Sequence, residues 1–292
     1  MTAEGAIPGY DWRRTIAWVD QNGNETERAR LRGLLGRPRP DARIVRTLDA
    51  RQNHDGGFPS DLVQGRPSSI DTTALVLWWM QDLGMLGSPQ AQRVVTFLFT
   101  AQRPDGAWDE PLGLLKFGPP PRLLPGDPRV QAVSTALAAY WLVLLGHRSD
   151  HSVSRAMAFL RPRQASDGRF LGFIRTTWIA ASLFRLVEGS GSAVAARALD
   201  ALGAIKADRW YPGALAGMLN CLAEAGVPLH VPVVRQGLER LRALAERDGS
   251  WSSEDGDFYR AEVTLRALRA LLLYGDVSPP PARAGSPVGA GR

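Results

Sequence analysis

The chain has 292 residues, 45% of them hydrophobic and 22% charged, with a formal net charge of +6 and a pI near 10.1. A single cysteine, Cys221, excludes a disulfide framework and fits a reducing compartment. The positive charge is nearly all arginine, with Lys116 and Lys206 the two lysines, and it is scattered, so no nucleic-acid footprint emerges and a solvated helical surface accounts for it.

No basic start followed by an apolar run opens the chain, and no stretch of about 18 apolar residues is free of charge. Neither a secretory leader nor a transmembrane span is expected, and the protein reads as cytoplasmic. Residues 1–40 offer one helix, at 12–19, and then polar linker. From residue 41, amphipathic segments alternate with segments that are apolar nearly all round. Residues 73–80 are of the second kind and 94–99 of the first. Next comes a proline-rich loop, residues 118–128, entered through 112–117. It carries leucines and Phe117 beside Lys116 and Arg122. Loops of this length are functional or disordered, and this one is expected to form a lip over a cavity or to touch a membrane surface. Residues 133–145, 177–187, 214–223 and 261–273 are apolar nearly all round, while 238–244 is amphipathic. Helices apolar all round must be buried, and amphipathic ones can face water. The tail from Ser278 is rich in Pro and Gly and is expected to be disordered.

Between the two kinds of helix the same short stretch recurs. It reads Gln52, Asp55-Gly56, Phe58; then Gln102, Asp105-Gly106, Trp108; then Gln164, Asp167-Gly168, Phe170; then Glu246, Asp248-Gly249, Trp251. A degenerate copy stands at residues 206–210. The first steps are about 50 to 60 residues, the period of a repeat architecture. A helical hairpin cannot bury its face alone, so the hairpins must stack or close on one another. The fold class is therefore all-α: a single (α/α) barrel of about five to six hairpins over residues 41–277.

This repeat resembles the QW motif of the triterpene cyclases, and over residues 40–275 the chain is similar to the α/α-toroid superfamily. That superfamily includes squalene–hopene, oxidosqualene and class II diterpene cyclases, and the β subunits of protein prenyltransferases. The last bind zinc through Asp, Cys and His. Here Asp257-Phe258-Tyr259-Arg260 matches their Asp-Phe-Tyr-His stretch with Arg260 in place of the ligand histidine, and Cys221 has no His near it. Zinc is not expected, which also argues against lanthionine-type cyclases. Ser69-Ile70-Asp71-Thr72-Thr73-Ala74 resembles the proton-donating Asp-x-Asp-Asp-Thr-Ala of squalene–hopene and diterpene cyclases and the Asp-Cys-Thr-Ala of oxidosqualene cyclases. Its central Asp71 is kept, and Ser69 and Thr72 replace the flanking carboxylates.

Two readings of Asp71 stand side by side. Ser, Thr and Asp at the start of an apolar helix are preferred N-caps. By resemblance, Asp71 is the acid that protonates an alkene or epoxide. If the inner helices converge at their N-terminal ends, Gln131, Arg175, Trp178, Tyr211, Tyr259, Arg260 and Glu262 face the same cavity. With Trp78, Trp79 and Asp257 they form the expected substrate- and cation-stabilising set. The aromatics would stabilise a cation or pack as ordinary core. Arg175 and Arg260 would hold a diphosphate or pair with Glu262 or Asp257. The resemblance implies a protonation-initiated terpene cyclase acting on an isoprenoid. It implies no cofactor, with Mg²⁺ entering only if the substrate is a diphosphate. A barrel that merely binds an isoprenoid or a protein, and a zinc-less prenyltransferase-like subunit, are the alternatives. Most class II cyclases use two such domains and this chain has room for one, which leaves a place for a partner subunit or a homodimer.

Overall fold

In the computed structural model of the chain, residues 10–36, 42–275 and 277 are described. The expected linker at 37–40 and the tail from Ser278 lie outside them. Short polar residues start many of the helices: Asp11, Asn24, Ser69, Ser88, Asp127, Asp150 and Ser192 each accept a backbone N–H of the first turn. Twelve α-helices follow one another among the described residues: α1 (Trp12–Asn22), α2 (Glu25–Leu34), α3 (Ala42–Arg51), α4 (Ile70–Asp82), α5 (Pro89–Ala101), α6 (Pro128–Leu144), α7 (His151–Leu160), α8 (Ile174–Glu188), α9 (Ala193–Gly203), α10 (Pro212–Glu224), α11 (Pro232–Ala243) and α12 (Arg260–Leu273).

The even-numbered helices touch in the order α2, α4, α6, α8, α10, α12, and α12 returns to α2, so they close a ring. The odd-numbered helices pack around it. Six hairpins result, within the number expected. Burial follows the two kinds of sequence. In α6 every residue from 132 to 142 is buried, whereas α11 buries Val233, Val234, Gly237, Leu238 and Leu241, one stripe at helical spacing.

Each copy of the repeat ties one hairpin to the next. The Gln52 amide donates to the Gly56 carbonyl at 2.7 Å and to that of Gln90, at the start of α5, at 3.0 Å. Gln102 does the same with Gly106 and Ser152 of α7, and Gln164 with Gly168 and Val194 of α9. The aromatic residue of each copy then donates its backbone N–H to a threonine hydroxyl of the following inner helix. The pairs are Phe58 to Thr73, Trp108 to Thr135, Phe170 to Thr177 and Trp251 to Thr264, at 2.9 to 3.1 Å. The Asp-Gly glycines are required: Gly56 and Gly168 have φ of +89° and +87°, and a Cβ on either would lie 2.2 Å from a carbonyl oxygen of the next outer helix.

Two features correct the expectations for the N-terminal residues. Where polar linker was expected, α2 forms, opened by a capping box between Asn24 and Glu27, and it takes a place in the inner ring. The fourth repeat copy, with no later outer helix among the described residues, docks on α1: the Thr15 hydroxyl donates to the Gly249 carbonyl at 2.6 Å. Residues 12–34 are thus part of the barrel. The described strands are two residues each, β1 (Phe58–Pro59) and β2 (Ser68–Ser69), antiparallel with Phe58 opposite Ser69. They fold the segment before α4 back on itself and deliver Ser69 to the start of that helix.

Candidate active site

The first turn of α4 has its backbone donors satisfied by side chains. Glu110 takes two of them, Oε1 accepting from the Asp71 N–H at 2.9 Å and Oε2 from that of Ile70 at 3.2 Å. Ser69 is the N-cap and accepts from Thr72 at 3.2 Å. Asp71 caps nothing. Its carboxylate turns instead to Arg175, the second residue of α8, and pairs with it through Oδ1 and Nη2. Because α6 stands between α4 and α8, this pair reaches across the ring. Arg122 adds a contact from Nη1 to Oδ2 at 3.5 Å. It comes from the loop at 112–128, which Leu114 and Leu123 anchor by burial.

The Asp71 side chain is 18% exposed. Burial alone would raise its carboxyl, but Arg175, by charge and hydrogen bond, with Arg122 and Arg266, holds it below the ordinary carboxylate value. Glu110 behaves in the opposite way. Burial, reinforced by the Asp71 charge, pushes its carboxyl up to about 7. Next to it in the chain, Asp109 accepts from Gln131 Nε2 at 3.0 Å and from the Gly126 N–H at 3.1 Å. Asp109 therefore joins the segment that carries Glu110 to Gln131 of α6 and to Gly126 near the far end of the loop. Leu75 and Trp78, four and seven residues after Asp71, lie on its face of α4 and are half-buried.

Trp79 and Glu262 belong to a second cluster. Arg30 of α2 binds Asp82 at 2.9 Å and pairs with Glu262, which also accepts from Trp79 Nε1 at 2.9 Å and Arg266 at 2.7 Å. Burial opposes ionisation of Glu262, yet Arg30 and Arg266 bring its carboxyl down to about 2. Arg30 lies over the Trp79 ring and Arg269 over that of Trp78, at 5.6 and 5.7 Å.

The other expected residues are placed elsewhere. Trp178 is buried against Trp210, ring centroids 6.0 Å apart. Tyr211 and Tyr259 are 65% and 46% exposed, and Asp257 is exposed as well. Arg260, expected as a diphosphate ligand, binds Glu246 at 2.8 Å, Asp248 at 3.0 Å and Ser250, which fastens the fourth repeat copy to α12. Among the described residues no three His, Cys, Asp or Glu side chains come together as a metal site.

Of the expected set, Arg175 alone touches Asp71. Sequence reasoning missed Glu110 and Arg122. Glu110 had a signal: it follows Trp108 by two residues, and Glu254 follows Trp251 by three and binds the opening N–H groups of α10, Gly213 and Ala214, at 3.3 and 3.1 Å. Arg175 had one too. Two residues before the repeat threonines stand Asp71, Val133, Arg175 and Glu262, so three of these four equivalent positions are charged.

No protein-family model and no curated protein matches the chain. Solved structures do. The type II terpene cyclase MstE from Scytonema superposes with a TM-score of 0.61 at 16% identity, over 91% of this chain and 97% of that one. A protein from Actinoplanes matches with a TM-score of 0.61 at 19% identity, over 90% and 98%. The chain has the type II terpene cyclase fold. The ent-copalyl diphosphate synthase from Streptomyces platensis shares it at a TM-score of 0.54 and 20% identity, over 86% of this chain but 50% of that one. The likeness read from the repeats is borne out at the level of the fold, and the match with MstE, which takes in nearly its whole chain, is to a protein of similar extent.

Proposed function

We propose that this protein is a single-barrel type II terpene cyclase in which Asp71 starts cyclisation by protonating an isoprenoid. One observation carries the reading. Asp71 opens an inner helix whose cap is another residue, and its carboxylate reaches across the ring to a cation on α8. The fold supports it, and so do the MstE complexes with geranylgeranyl dihydroxybenzoate as substrate and merosterolic acid A as product.

Ion-paired with Arg175, Asp71 cannot give a proton. An acidic head group on the substrate would draw Arg175 and Arg122 to itself through charge-assisted hydrogen bonds. With those two cations drawn away, burial outweighs the charge of Arg266 and raises the Asp71 carboxyl. The proton passes to a terminal alkene carbon or an epoxide oxygen, and the cation closes rings past aromatic faces such as Trp78. Loss of a proton or capture of water ends the sequence. The protonation needs no metal, and Mg²⁺ would serve only to accompany a diphosphate head. The paired state of Asp71 favours a second reading, a non-catalytic barrel that binds an isoprenoid, with the pair as a tie across the ring.

Access to the site has a surface to match. Leu112, Leu115, Phe117, Leu171, Tyr211 and Phe258 are exposed, and all lie in segments that lead into inner helices. Among the exposed large apolar side chains of the described residues, only Leu229 and Leu273 lie elsewhere. This rim, at the end where the inner helices begin, suits peripheral contact with a lipid surface from which an isoprenoid enters. No described helix is long and apolar enough to cross a membrane.

The test is reaction in D₂O with linear isoprenoids bearing carboxylate, diphosphate or neutral ends. The cyclase reading expects a cyclised product with one solvent deuterium on carbon from an alkene substrate. Binding without any cyclised product would favour the second reading.

A further inference from the structure

The reaction proposed above leaves one buried carboxyl beside Asp71 without a role. Glu110 is 2% exposed, and its oxygens hold the N–H groups of Ile70 and of Asp71 itself. The molecule contains its own control. Glu254 makes the same two contacts with Gly213 and Ala214 at the start of α10, but it is exposed, and neither of those residues carries a carboxyl. Glu254 serves a helix start and no more. Glu110 serves a helix start, is buried, and holds the backbone of a second acid.

We propose that Glu110 is a positioning residue for Asp71: the two carboxyls form a pair that keeps one proton, and this is the proton Asp71 delivers. The use of that proton rests on the cyclase reading; the pairing itself does not. Glu110 is buried and holds the backbone N–H of Asp71, whose own carboxyl is largely shielded; carboxyls placed in this way do not both ionise readily, and their titration belongs to the pair. Arg175 of α8, Arg122 of the 112–128 loop and Arg266 of α12 face Asp71. On the other side the Ser69 hydroxyl faces Glu110, and Asp109, beside it in the chain, is engaged by Gln131 and by Arg103 at 3.6 Å. While the arginines hold Asp71 as the carboxylate, the proton stays with Glu110. Once a substrate's acidic head takes the arginines, Asp71 becomes the stronger base, and the proton redistributes to it by exchange with solvent. Delivery to the alkene forms a C–H bond from the π electrons and leaves both carboxyls ionised while Arg175 and Arg122 remain on the substrate's head. The proton lost by the final cation, or by the water that captures it, restores the pair. Burial first, and then the Asp71 charge, push the Glu110 carboxyl up to about 7, where it can keep a proton near neutral pH.

Carbon-13 NMR of carboxyl-labelled protein follows both groups, assigned with Asp71→Asn and Glu110→Gln. In the wild type Glu110 should titrate near 7. Asp71→Asn should lower that midpoint by at least about one pH unit, and Glu254→Gln should leave it in place. In turnover, Glu110→Gln should move the alkaline limb of kcat/KM at least about one unit towards acid, and Glu254→Gln should not. An unmoved Glu110 midpoint in Asp71→Asn overturns the pair, as does an equal effect of the two Gln variants on the pH limb. If Glu110→Gln fails to fold, the Asp71→Asn titration decides. Because the NMR needs no substrate, coupling in a protein that cyclises nothing would keep the pair and discard the cyclase reading. Cyclisation without coupling would do the reverse.

Discussion

Arg30 is 1% exposed and carries its charge between Asp82 and Glu262. Removing one partner of such a buried group leaves charge uncompensated, so Glu262→Gln should destabilise the protein by about 3–5 kcal/mol near neutral pH. The pH dependence has a definite sign. The Glu262 carboxyl is lowered on folding from an ordinary 4.5 to about 2, so its contribution is full above the unfolded value and is lost as pH falls through the folded one. The stability gap between wild type and Glu262→Gln, measured by urea unfolding, should therefore narrow below about pH 4.5. A gap independent of pH would contradict this account of the cluster. Arg175→Gln offers the complementary case: with its main cation gone, the Asp71 carboxyl should move upward in an NMR titration, and an unchanged or lower value would show that Arg175 does not control it. Asp71 was legible in the sequence because its neighbours repeat a motif. Arg175 lies 104 residues away, and its partnership exists only once the ring has closed.

Among the elements, the repeat copies were the most legible and α2 the least. A copy announces itself because Asp-Gly fixes a turn that few other residues can make, with Gly106 at φ +87° and a Cβ there 2.7 Å from the Arg155 carbonyl oxygen. Gly106→Ala should cost at least about 1–3 kcal/mol. Gly146→Ala, at φ +94° with nothing within 4 Å, carries the backbone strain but no clash and should cost less. Equal melting temperatures for the two would contradict the close approach assigned to the repeat glycine. Helix α2 escaped notice because its sequence, ETERARLRGL, is polar, whereas the other inner helices are apolar. Its place in the ring is held by Leu31 in the core and by Arg30 in ion pairs. A pattern of apolar residues cannot report a helix buried through charge pairing.

At the scale of the whole molecule, the alternation of two kinds of helix implied a closed double ring, and the structure supplies the closure through α12 against α2 and the fourth copy against α1. The same topology puts all but two of the exposed large apolar side chains of the described residues in segments that lead into the inner helices. If that rim meets lipid, replacing Leu112, Leu115 and Phe117 together by Ser should weaken co-flotation with phosphatidylcholine–phosphatidylglycerol vesicles at least about tenfold, the order expected for partly inserted side chains at ~0.8 kcal/mol per CH₂. Unaltered flotation would remove the membrane role. The proposed role of Asp71 as the proton donor is tested most directly by product formation in Asp71→Asn beside its melting temperature. Ser69 and Glu110 keep the helix start intact in this variant, so the melting temperature should change little while cyclised product falls at least about 10²-fold. Turnover equal to the wild type in a folded Asp71→Asn protein would contradict the account.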